Sequence, residues 1–208
     1  MRIAIVCNGT LNGVAFHKRM LHGADVIIAA DGGANHAERL GVVPDYVIGD
    51  MDSIRPGLLA KLKKNDVTAV ITDPDQDKTD AELALELALK LKPREIIFLC
   101  AEGRRLDHAL ANLLLLERVP RPVKASVVDD TSQAILLRER VSLRGTKGDI
   151  VSVVPLTPLS GLTYSGLKWG VRSKRTPFGW VGVSNVMTGN VAHISVTRGR
   201  ALVIRVRE

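Results

Sequence analysis

Carboxylates, glycines and basic residues are concentrated in four short clusters in the first half of the chain. The clusters are Asp31-Gly32-Gly33-Ala34-Asn35, Gly49-Asp50-Met51-Asp52-Ser53, Asp75-Gln76-Asp77-Lys78-Thr79-Asp80 and Gly103-Arg104-Arg105-Leu106-Asp107-His108. Each follows an apolar run of the kind that forms a buried strand. In an open α/β sheet the loops after the strands open onto one edge, where ligands bind. Four such loops predict a site for magnesium and a polyphosphate.

Asp50 and Asp52 are the first metal candidates. Because they lie two residues apart, their carboxylates share a face in an extended segment and can reach one cation. Magnesium takes oxygen ligands and usually keeps water and substrate phosphates in its shell. A solvated turn after Pro44-Asp45 is the alternative for this pair alone, and the neighbouring acidic loops favour the metal site.

The third acidic segment holds four aspartates within eight residues, namely Asp73, Asp75, Asp77 and Asp80. Its spacing excludes an EF-hand, because Lys78 stands where glycine is required and Ala84 where the closing glutamate belongs. Thr79-Asp80-Ala81-Glu82 predicts a capping box, with Thr79 as N-cap and the Glu82 side chain reaching back to it. A purely capping role for this segment stays open.

Asp31-Gly32-Gly33 precedes a predicted helix, and its glycines let a ligand approach the backbone at the helix N-terminus. The chain has neither a G-x-G-x-x-G nor a Walker A sequence, so neither standard dinucleotide binding nor P-loop binding is supported.

In the fourth cluster, Arg105 suits phosphate oxygens because its donors form a planar fork. Asp107 and His108 follow it, and Asn112 lies one turn after His108 on the same helix face. A simple N-cap role for Asp107 and a packing role for His108 are the alternatives.

The elements that position these clusters alternate along the first 125 or so residues. The predicted strands are Ile3–Cys7, Val26–Ala30, Tyr46–Ile48, Thr68–Ile71, Ile96–Cys100 and Ser126–Val128. The predicted helices are Val14–Leu21, Ala34–Leu40, Gly57–Lys64, Thr79–Leu91 and Asp107–Arg118. This alternation predicts a doubly wound, mostly parallel α/β domain over residues 1–129.

From residue 130 to 208 the pattern changes to short apolar runs separated by glycines. The runs are Ala134–Leu137, Val141–Leu143, Ile150–Val154, Ala192–Val196 and Leu202–Val206. They predict an antiparallel all-β domain, a sandwich or a small barrel. Trp169 and Ser184-Asn185 lie on glycine-flanked segments of this domain. A loop tryptophan can stack on a flat cationic ring, although the residues alone favour packing for Trp169.

The formal net charge of +7 is uneven, with 12 basic and 3 acidic residues from Arg138 onward. These basic residues are scattered and lack interleaved aromatics, so a solvated basic surface is favoured over nucleic-acid binding. Cys7 and Cys100 form no metal-binding pattern and are interpreted as reduced and structural. The sequence shows no signal peptide or membrane span, which favours a cytoplasmic location.

Taken in order from Asp31 to Asn185, the motifs resemble those of the thiamine pyrophosphokinase family. The family pattern is D-G-G-A, G-D-x-D-S, D-Q-x-x-T-D, G-x-R-x-D-H, then G-L-x-W with S-N. The resemblance implies an N-terminal α/β domain that binds ATP and Mg²⁺, and a C-terminal β-sandwich that completes the site in a homodimer. Two departures are Arg104, where the family often has glycine, and Gly170-Val171, where it favours leucine.

The resemblance also implies roles for individual residues. The implied metal and phosphate ligands are Asp31, Asp50, Asp52 and Asp80, with Asp50, Asp52, Asp80 and Arg105 catalytic. The implied ATP-binding residues are Asp31, Gly32, Gln76, Lys78, Thr79, Arg105, Asp107, His108 and Asn112. The implied thiamine-binding residues, contributed by the partner subunit, are Trp169, Ser184 and Asn185. This reverses the packing interpretation of Trp169.

The implied reaction is transfer of a diphosphoryl group from ATP to the hydroxyethyl oxygen of thiamine, which releases AMP. A diphosphokinase for another hydroxymethyl heterocycle, such as a pterin, would share the aspartate loops but need no Trp169 platform. A non-catalytic thiamine or nucleotide sensor would bind without magnesium and release no AMP.

Overall fold

The computed structural model describes residues 1–64, 69–72 and 77–207, with only the backbone given for Val70 and Thr72. Within it the chain divides into two compact units, Met1–Asp130 and Thr131–Glu208. The two units are called unit 1 and unit 2 below.

Unit 1 alternates strands and helices. Its strands are β1 (Arg2–Val6), β2 (Val26–Ala30), β3 (Tyr46–Gly49), β4 (Ala69–Thr72), β5 (Glu95–Leu99) and β6 (Lys124–Val128). Its helices are α1 (Val14–His22), α2 (Gly33–Arg39), α3 (Pro56–Lys63), α4 (Asp80–Lys90) and α5 (Leu106–Leu114), with a 3-10 helix at Leu115–Arg118. The strands are parallel and follow the order β6-β5-β1-β2-β3-β4. The predicted parallel α/β fold is confirmed.

The strands of unit 1 are buried on both faces. Residues Ile3–Val6 of β1 and Ile96–Leu99 of β5 are at most 1% exposed. Phe16 and Leu21 of α1 pack with Ala4 and Val6, whereas α4 packs against β1, β2 and β3. Continuous apolar runs are the pattern that such covered parallel strands require.

Helix α4 begins as predicted, with Thr79 as its N-cap. The Glu82 backbone N–H donates to Thr79 Oγ1 at 3.2 Å. The other half of the predicted capping box is wrong, because the Glu82 carboxylate accepts from Arg118 instead. A guanidinium is a stronger partner for a carboxylate than a neutral N–H group is. Glu86 likewise accepts from Arg118 and from Lys78, each at 3.0 Å.

Unit 2 is an antiparallel sandwich of two four-stranded layers, in the orders β12-β9-β14-β7 and β11-β10-β13-β8. Its strands are β7 (Ser132–Leu137), β8 (Arg140–Arg144), β9 (Ile150–Pro155), β10 (Leu159–Ser165), β11 (Lys174–Thr176), β12 (Gly182–Val186), β13 (Val191–Ser195) and β14 (Ala201–Val206). Inward residues of both layers form one core, for example Leu143, Val151, Leu162 and Val203. The antiparallel sandwich is confirmed.

The sequence did not predict β10, β11 or β12. Gly161 interrupts β10 with φ +68° and Ser184 interrupts β12 with φ +62°, and the pairing register shifts near both residues. Such irregularities break the alternation of apolar and polar residues that reveals a strand. In the part of the chain that is described, none of the helices has the length and apolar character to cross a membrane.

A buried ion pair in unit 2 predicts a measurable loss of stability. Asp149 Oδ2 lies 3.2 Å from Arg205 Nη1, and the two side chains are 6% and 11% exposed. Asp149→Ala leaves the guanidinium buried without its carboxylate, so we expect the free energy of unfolding to fall by about 3 kcal/mol. Urea denaturation followed by tryptophan fluorescence measures this, because Trp169 and Trp180, the two tryptophans, are both in unit 2.

The matched control is Asp149→Ala combined with Arg205→Leu. Removing both charges avoids the unpaired buried guanidinium, so we expect the double variant to recover part of the loss. A single variant as stable as the parent protein would contradict this account of the pair.

Candidate active site

A cavity of about 620 Å³ opens in unit 1 at the carboxyl edge of the parallel sheet. Its walls come from the segments after β1, β2, β3 and β5, from the first turn of α4 and from the first two turns of α5. The predicted site residues that line it are Asp31, Asp50, Asp52, Thr79, Asp80, Arg105, His108 and Asn112. The strand order therefore brings residues of the first, second and fourth clusters, and the end of the third, to one place.

Asp31, Asp50 and Asp52 form an acidic triad in this cavity. One carboxylate oxygen from each lies within 4.8 Å of the others. Asp31 is buried, and among the described residues its Oδ1 has no hydrogen-bond partner. A buried carboxylate oxygen without a partner is costly, and a hard divalent cation prefers such oxygen ligands. The triad therefore fits a cation such as magnesium.

Asp80 lies beside the triad but outside its 4.8 Å group. Burial, together with the charges of Asp31, Asp50 and Asp52, raises its pKa to about 6. Burial is also the main reason that the pKa of Asp31 is raised. Desolvation and like charges both favour the protonated carboxyl, so the cavity is a place where positive charge is stabilised.

Asn35 ties the loop after β3 to helix α2. Its Nδ2 donates to the Ser53 carbonyl at 2.8 Å, and its Oδ1 accepts from the Arg55 backbone N–H at 3.1 Å. Within the loop, Asp50 Oδ1 accepts from the Asp52 N–H at 3.1 Å. The last residue of the first cluster therefore holds the loop that carries two triad members.

Arg105 and Asp107 form a two-bond pair at the start of α5. Arg105 Nε donates to Asp107 Oδ1 at 3.2 Å, and Nη2 donates to Oδ2. The pair lowers the pKa of Asp107 to about 2 and raises that of Arg105. The helix begins at Leu106 with Arg105 at the N-cap position, so the N-cap interpretation of Asp107 is wrong.

The other two predicted residues of α5 differ in exposure. His108 is exposed at the cavity. Asn112 is buried, and its Nδ2 donates to the Ala101 carbonyl at 2.7 Å. Asn112 therefore fixes α5 to the segment that follows β5.

Three predicted ATP-binding residues of the described chain are not part of the cavity wall, namely Gly32, Lys78 and Asp107. A Cβ atom on Gly32 would lie 2.3 Å from the Asn8 side chain, so the backbone approaches closely there. Lys78 Nζ lies 3.0 Å from Glu86 Oε2. Gln76, together with Asp73 and Asp75, lies outside the described residues.

Sequence reasoning missed the segment after β1, where Asn8, Gly9 and Thr10 line the cavity. The Gly9 N–H donates to the Cys100 carbonyl at 2.8 Å, and His36 Nε2 lies 2.8 Å from the Gly9 carbonyl. Burial lowers the pKa of His36, which favours the neutral ring that donates to this carbonyl. The predicted sheet topology could have revealed this segment, because parallel β1 ends at the same sheet edge as its neighbours.

Unit 2 brings Asn185 to Trp169, whereas Ser184 is exposed and its backbone N–H donates to Ser152 Oγ at 3.2 Å. Asn185 Oδ1 accepts from the Trp169 N–H at 3.0 Å, and Nδ2 donates to the Trp169 carbonyl at 2.8 Å. The Trp169 side chain is exposed, and Lys168 Nζ lies 4.9 Å from its ring centroid. Unit 2 therefore presents an aromatic ring that already binds a cation.

Gly49 at the end of β3 provides a test of the acidic site. Its φ is +143°, and a Cβ atom there would lie 2.6 Å from Asp80 Oδ1 and 2.9 Å from the Asp31 Cβ. Gly49→Ala must displace these carboxylates, so we expect Mn²⁺ affinity to fall about tenfold, the size of effect typical of altered metal surroundings. Isothermal titration of the purified protein with Mn²⁺ measures it.

The matched control is Gly57→Ala in α3, because a Cβ atom at Gly57 meets nothing within 4 Å. This variant is expected to bind Mn²⁺ like the parent protein. Unchanged affinity in Gly49→Ala would show that Asp31 and Asp80 do not take part in cation binding.

Two family models match successive parts of this chain. The model of the thiamin pyrophosphokinase catalytic domain matches residues 17–128, and that of the vitamin B1 binding domain matches residues 136–201. Thiamine pyrophosphokinase 1 of Oryza sativa subsp. japonica is 26% identical over 81% of this chain and 74% of its own length. Thiamine pyrophosphokinase of Bacillus subtilis is 25% identical over 79% of each chain.

A solved structure shares the fold along the whole chain. The crystal structure of thiamine pyrophosphokinase from Bacillus subtilis superposes with a TM-score of 0.88 at 22% identity, and the match covers 100% of both chains. The first family model alone spans more than half of the present sequence, including all the carboxylates of the acidic site. The chain thus belongs to the thiamin pyrophosphokinase family.

Proposed function

We propose that this chain transfers a diphosphoryl group from ATP to the hydroxyethyl oxygen of thiamine, giving thiamine diphosphate and AMP. The observation that carries this proposal is the triad of Asp31, Asp50 and Asp52 in a cavity that Arg105 also lines. Membership of the family supports the substrates. Residues 1–129 would bind ATP and Mg²⁺, and residues 130–208 would bind thiamine.

In the proposed reaction a bond forms between the thiamine alcohol oxygen and the β-phosphorus of ATP. The bond from that phosphorus to the oxygen bridging the α- and β-phosphates breaks, and AMP leaves. Little covalent chemistry falls to the protein in such transfers, so its contribution is positioning and charge stabilisation. Asp31, Asp50 and Asp52 would hold a magnesium ion, which would supply positive charge to offset the charge of the polyphosphate.

Asp80 is the proposed acceptor of the alcohol proton. Its pKa of about 6 makes it a stronger base than an ordinary carboxylate, while it is still largely ionised near neutral pH. The charged groups that raise this pKa are all carboxylates, namely those of Asp31, Asp50 and Asp52. A cation held by these neighbours would offset their charges and so favour the ionised form of Asp80.

The proposed ATP contacts divide into direct and supporting ones. Arg105 would bind phosphate oxygens through its planar fork, and Asp107 holds that fork in place through its two hydrogen bonds. Lys78 is anchored to Glu86 and would order the segment before α4. The remaining proposed ATP-binding residues are Asp31, Gly32, Gln76, Thr79, His108 and Asn112.

We also propose a homodimer in which the partner subunit supplies Trp169, Ser184 and Asn185 to the thiamine site. The support is an exposed apolar stripe on α5, formed by Leu106, Leu110 and Leu114. Residues four apart lie on one helix face, and α5 also carries cavity residues. A second copy seated on this stripe would therefore be next to the polyphosphate site.

Incubation of the purified protein with ATP, Mg²⁺ and thiamine tests the proposed reaction. Equimolar AMP and thiamine diphosphate, separated by chromatography, are expected. ADP with thiamine monophosphate would show single phosphoryl transfer instead. Bound ATP without any product would contradict thiamine as acceptor and direct the assay to pterin-like alcohols.

Asp52→Asn tests the metal assignment. Loss of one triad charge is expected to lower turnover by roughly two orders of magnitude or more, because cation binding then relies on the two remaining carboxylates. The matched control is Asp25→Asn, an exposed aspartate that precedes β2 at the opposite sheet edge. Full activity of Asp52→Asn would remove Asp52 from the site.

Leu110→Glu tests the dimer. In the proposed dimer the stripe is buried, and a charge in its middle is strongly unfavourable there. We therefore expect light scattering after size exclusion to show a monomer in place of a dimer. The control is Lys90→Glu on α4, which introduces the same acidic residue at an exposed position outside the stripe. This variant is expected to remain a dimer. A dimer that persists in Leu110→Glu would place the interface elsewhere.

A further inference from the structure

Ser184 and Asn185 are neighbours in the sequence, but the structure gives them different surroundings. Ser184 is exposed, has φ +62°, and lies where the pairing of β12 with β9 shifts register. Such a bulge re-aims the side chains next to it. Asn185 is buried, with 8% of its surface exposed. The two adjacent side chains therefore do not present a common contact surface to a ligand.

The Asn185 amide is used almost entirely inside unit 2. Its Oδ1 accepts from the backbone N–H groups of Trp169 at 3.0 Å and Val186 at 2.9 Å. Its Nδ2 donates to the Trp169 carbonyl at 2.8 Å. A side-chain amide has two acceptor lone pairs and two N–H donors. Both lone pairs and one donor are therefore committed, which leaves little capacity for a ligand.

These bonds complete a row of contacts that holds the segment 166–169. The Lys168 N–H donates to the Val186 carbonyl at 2.9 Å, and the Thr188 N–H donates to the Gly166 carbonyl at 3.0 Å. Leu167 pairs with Met187 between them. Asn185 lies at the end of this row, where its side chain forms hydrogen bonds with both the N–H and the carbonyl of Trp169.

The side chain of the segment that these contacts hold is the Trp169 indole, and Trp169 is 54% exposed. Lys168 Nζ lies 4.9 Å from the ring centroid, so one face of the ring binds a positive charge. Tryptophan is the aromatic residue that binds cations best through its face. A ring whose backbone is already fixed loses less conformational freedom when a ligand stacks on it.

We propose that Asn185 is a positioning residue, which sets the Trp169 indole for a flat cationic ring and makes no contact with that ring itself. The identification of the ring as the thiazolium of thiamine rests on the proposed function. Asn185 then acts on the substrate only through Trp169, whereas Ser184 remains available for direct contact.

The test uses Asn185→Ala in a Trp180→Phe background, where Trp169 is the one remaining tryptophan. Without thiamine, we expect lower fluorescence anisotropy and stronger acrylamide quenching of Trp169. The KM for thiamine should rise about tenfold, while the KM for ATP stays within about twofold. The matched control is Asn190→Ala, an exposed asparagine between β12 and β13, which should change none of these quantities.

A double-mutant cycle with Trp169→Ala separates positioning from contact. If Asn185 acts through the indole, Asn185→Ala changes the thiamine KM of a Trp169→Ala protein by less than about twofold. If the effects of the two substitutions on the thiamine KM multiply in the double variant, the inference is overturned and direct contact is shown. A raised thiamine KM with unchanged Trp169 fluorescence in Asn185→Ala would have the same meaning. A thiamine KM equal to that of the parent protein would overturn it as well.

Asn185→Asp guards against a variant that fails to fold. It keeps the side-chain size and both acceptor bonds, but an oxygen faces the Trp169 carbonyl in place of the N–H donor, so the same changes are expected. A parent protein that makes no thiamine diphosphate would contradict the proposed function alone. The fluorescence comparison would then still decide whether Asn185 positions Trp169.

Discussion

Repulsion among carboxylates at one edge of the parallel sheet is the constraint on which the candidate site depends. Asp31, Asp50 and Asp52 approach within 4.8 Å of one another, and Asp80 lies close enough for their charges to raise its pKa. Folding such a group without a cation costs free energy, because each carboxylate is desolvated next to like charges. The surrounding structure must therefore hold the carboxylates together against their own repulsion.

The means of doing so are local and specific. The parallel strand order brings the loops after β2 and β3 side by side. Asn35 then joins them through hydrogen bonds to the loop that carries Asp50 and Asp52. Gly49 leaves the space that the carboxylates of Asp31 and Asp80 occupy. Stability is thus spent on keeping the site ready for a cation, as is common at functional sites.

The sequence predicted the parts of the structure that follow from local pattern. Buried strands such as β1 and β5 read as continuous apolar runs, and Thr79 was identifiable as an N-cap from its own neighbourhood. The hydrogen-bond partner of the Glu82 carboxylate was not identifiable in this way, because Arg118 is 36 residues away in the chain. Strands β10 and β12 escaped prediction because left-handed residues and register shifts break their alternation. The role of Asn185 depends on a contact 16 residues away, which no spacing rule reveals.

The lysine above the Trp169 ring has a consequence for selectivity. Any ring that stacks on the face occupied by Lys168 must replace the ammonium group and its attraction to the indole. A cationic ring restores that attraction, whereas a neutral ring of the same shape gains stacking alone. Lys168 therefore competes with the ligand for the indole face. The affinity of a ligand then depends on how much more strongly than the ammonium group it interacts with the indole.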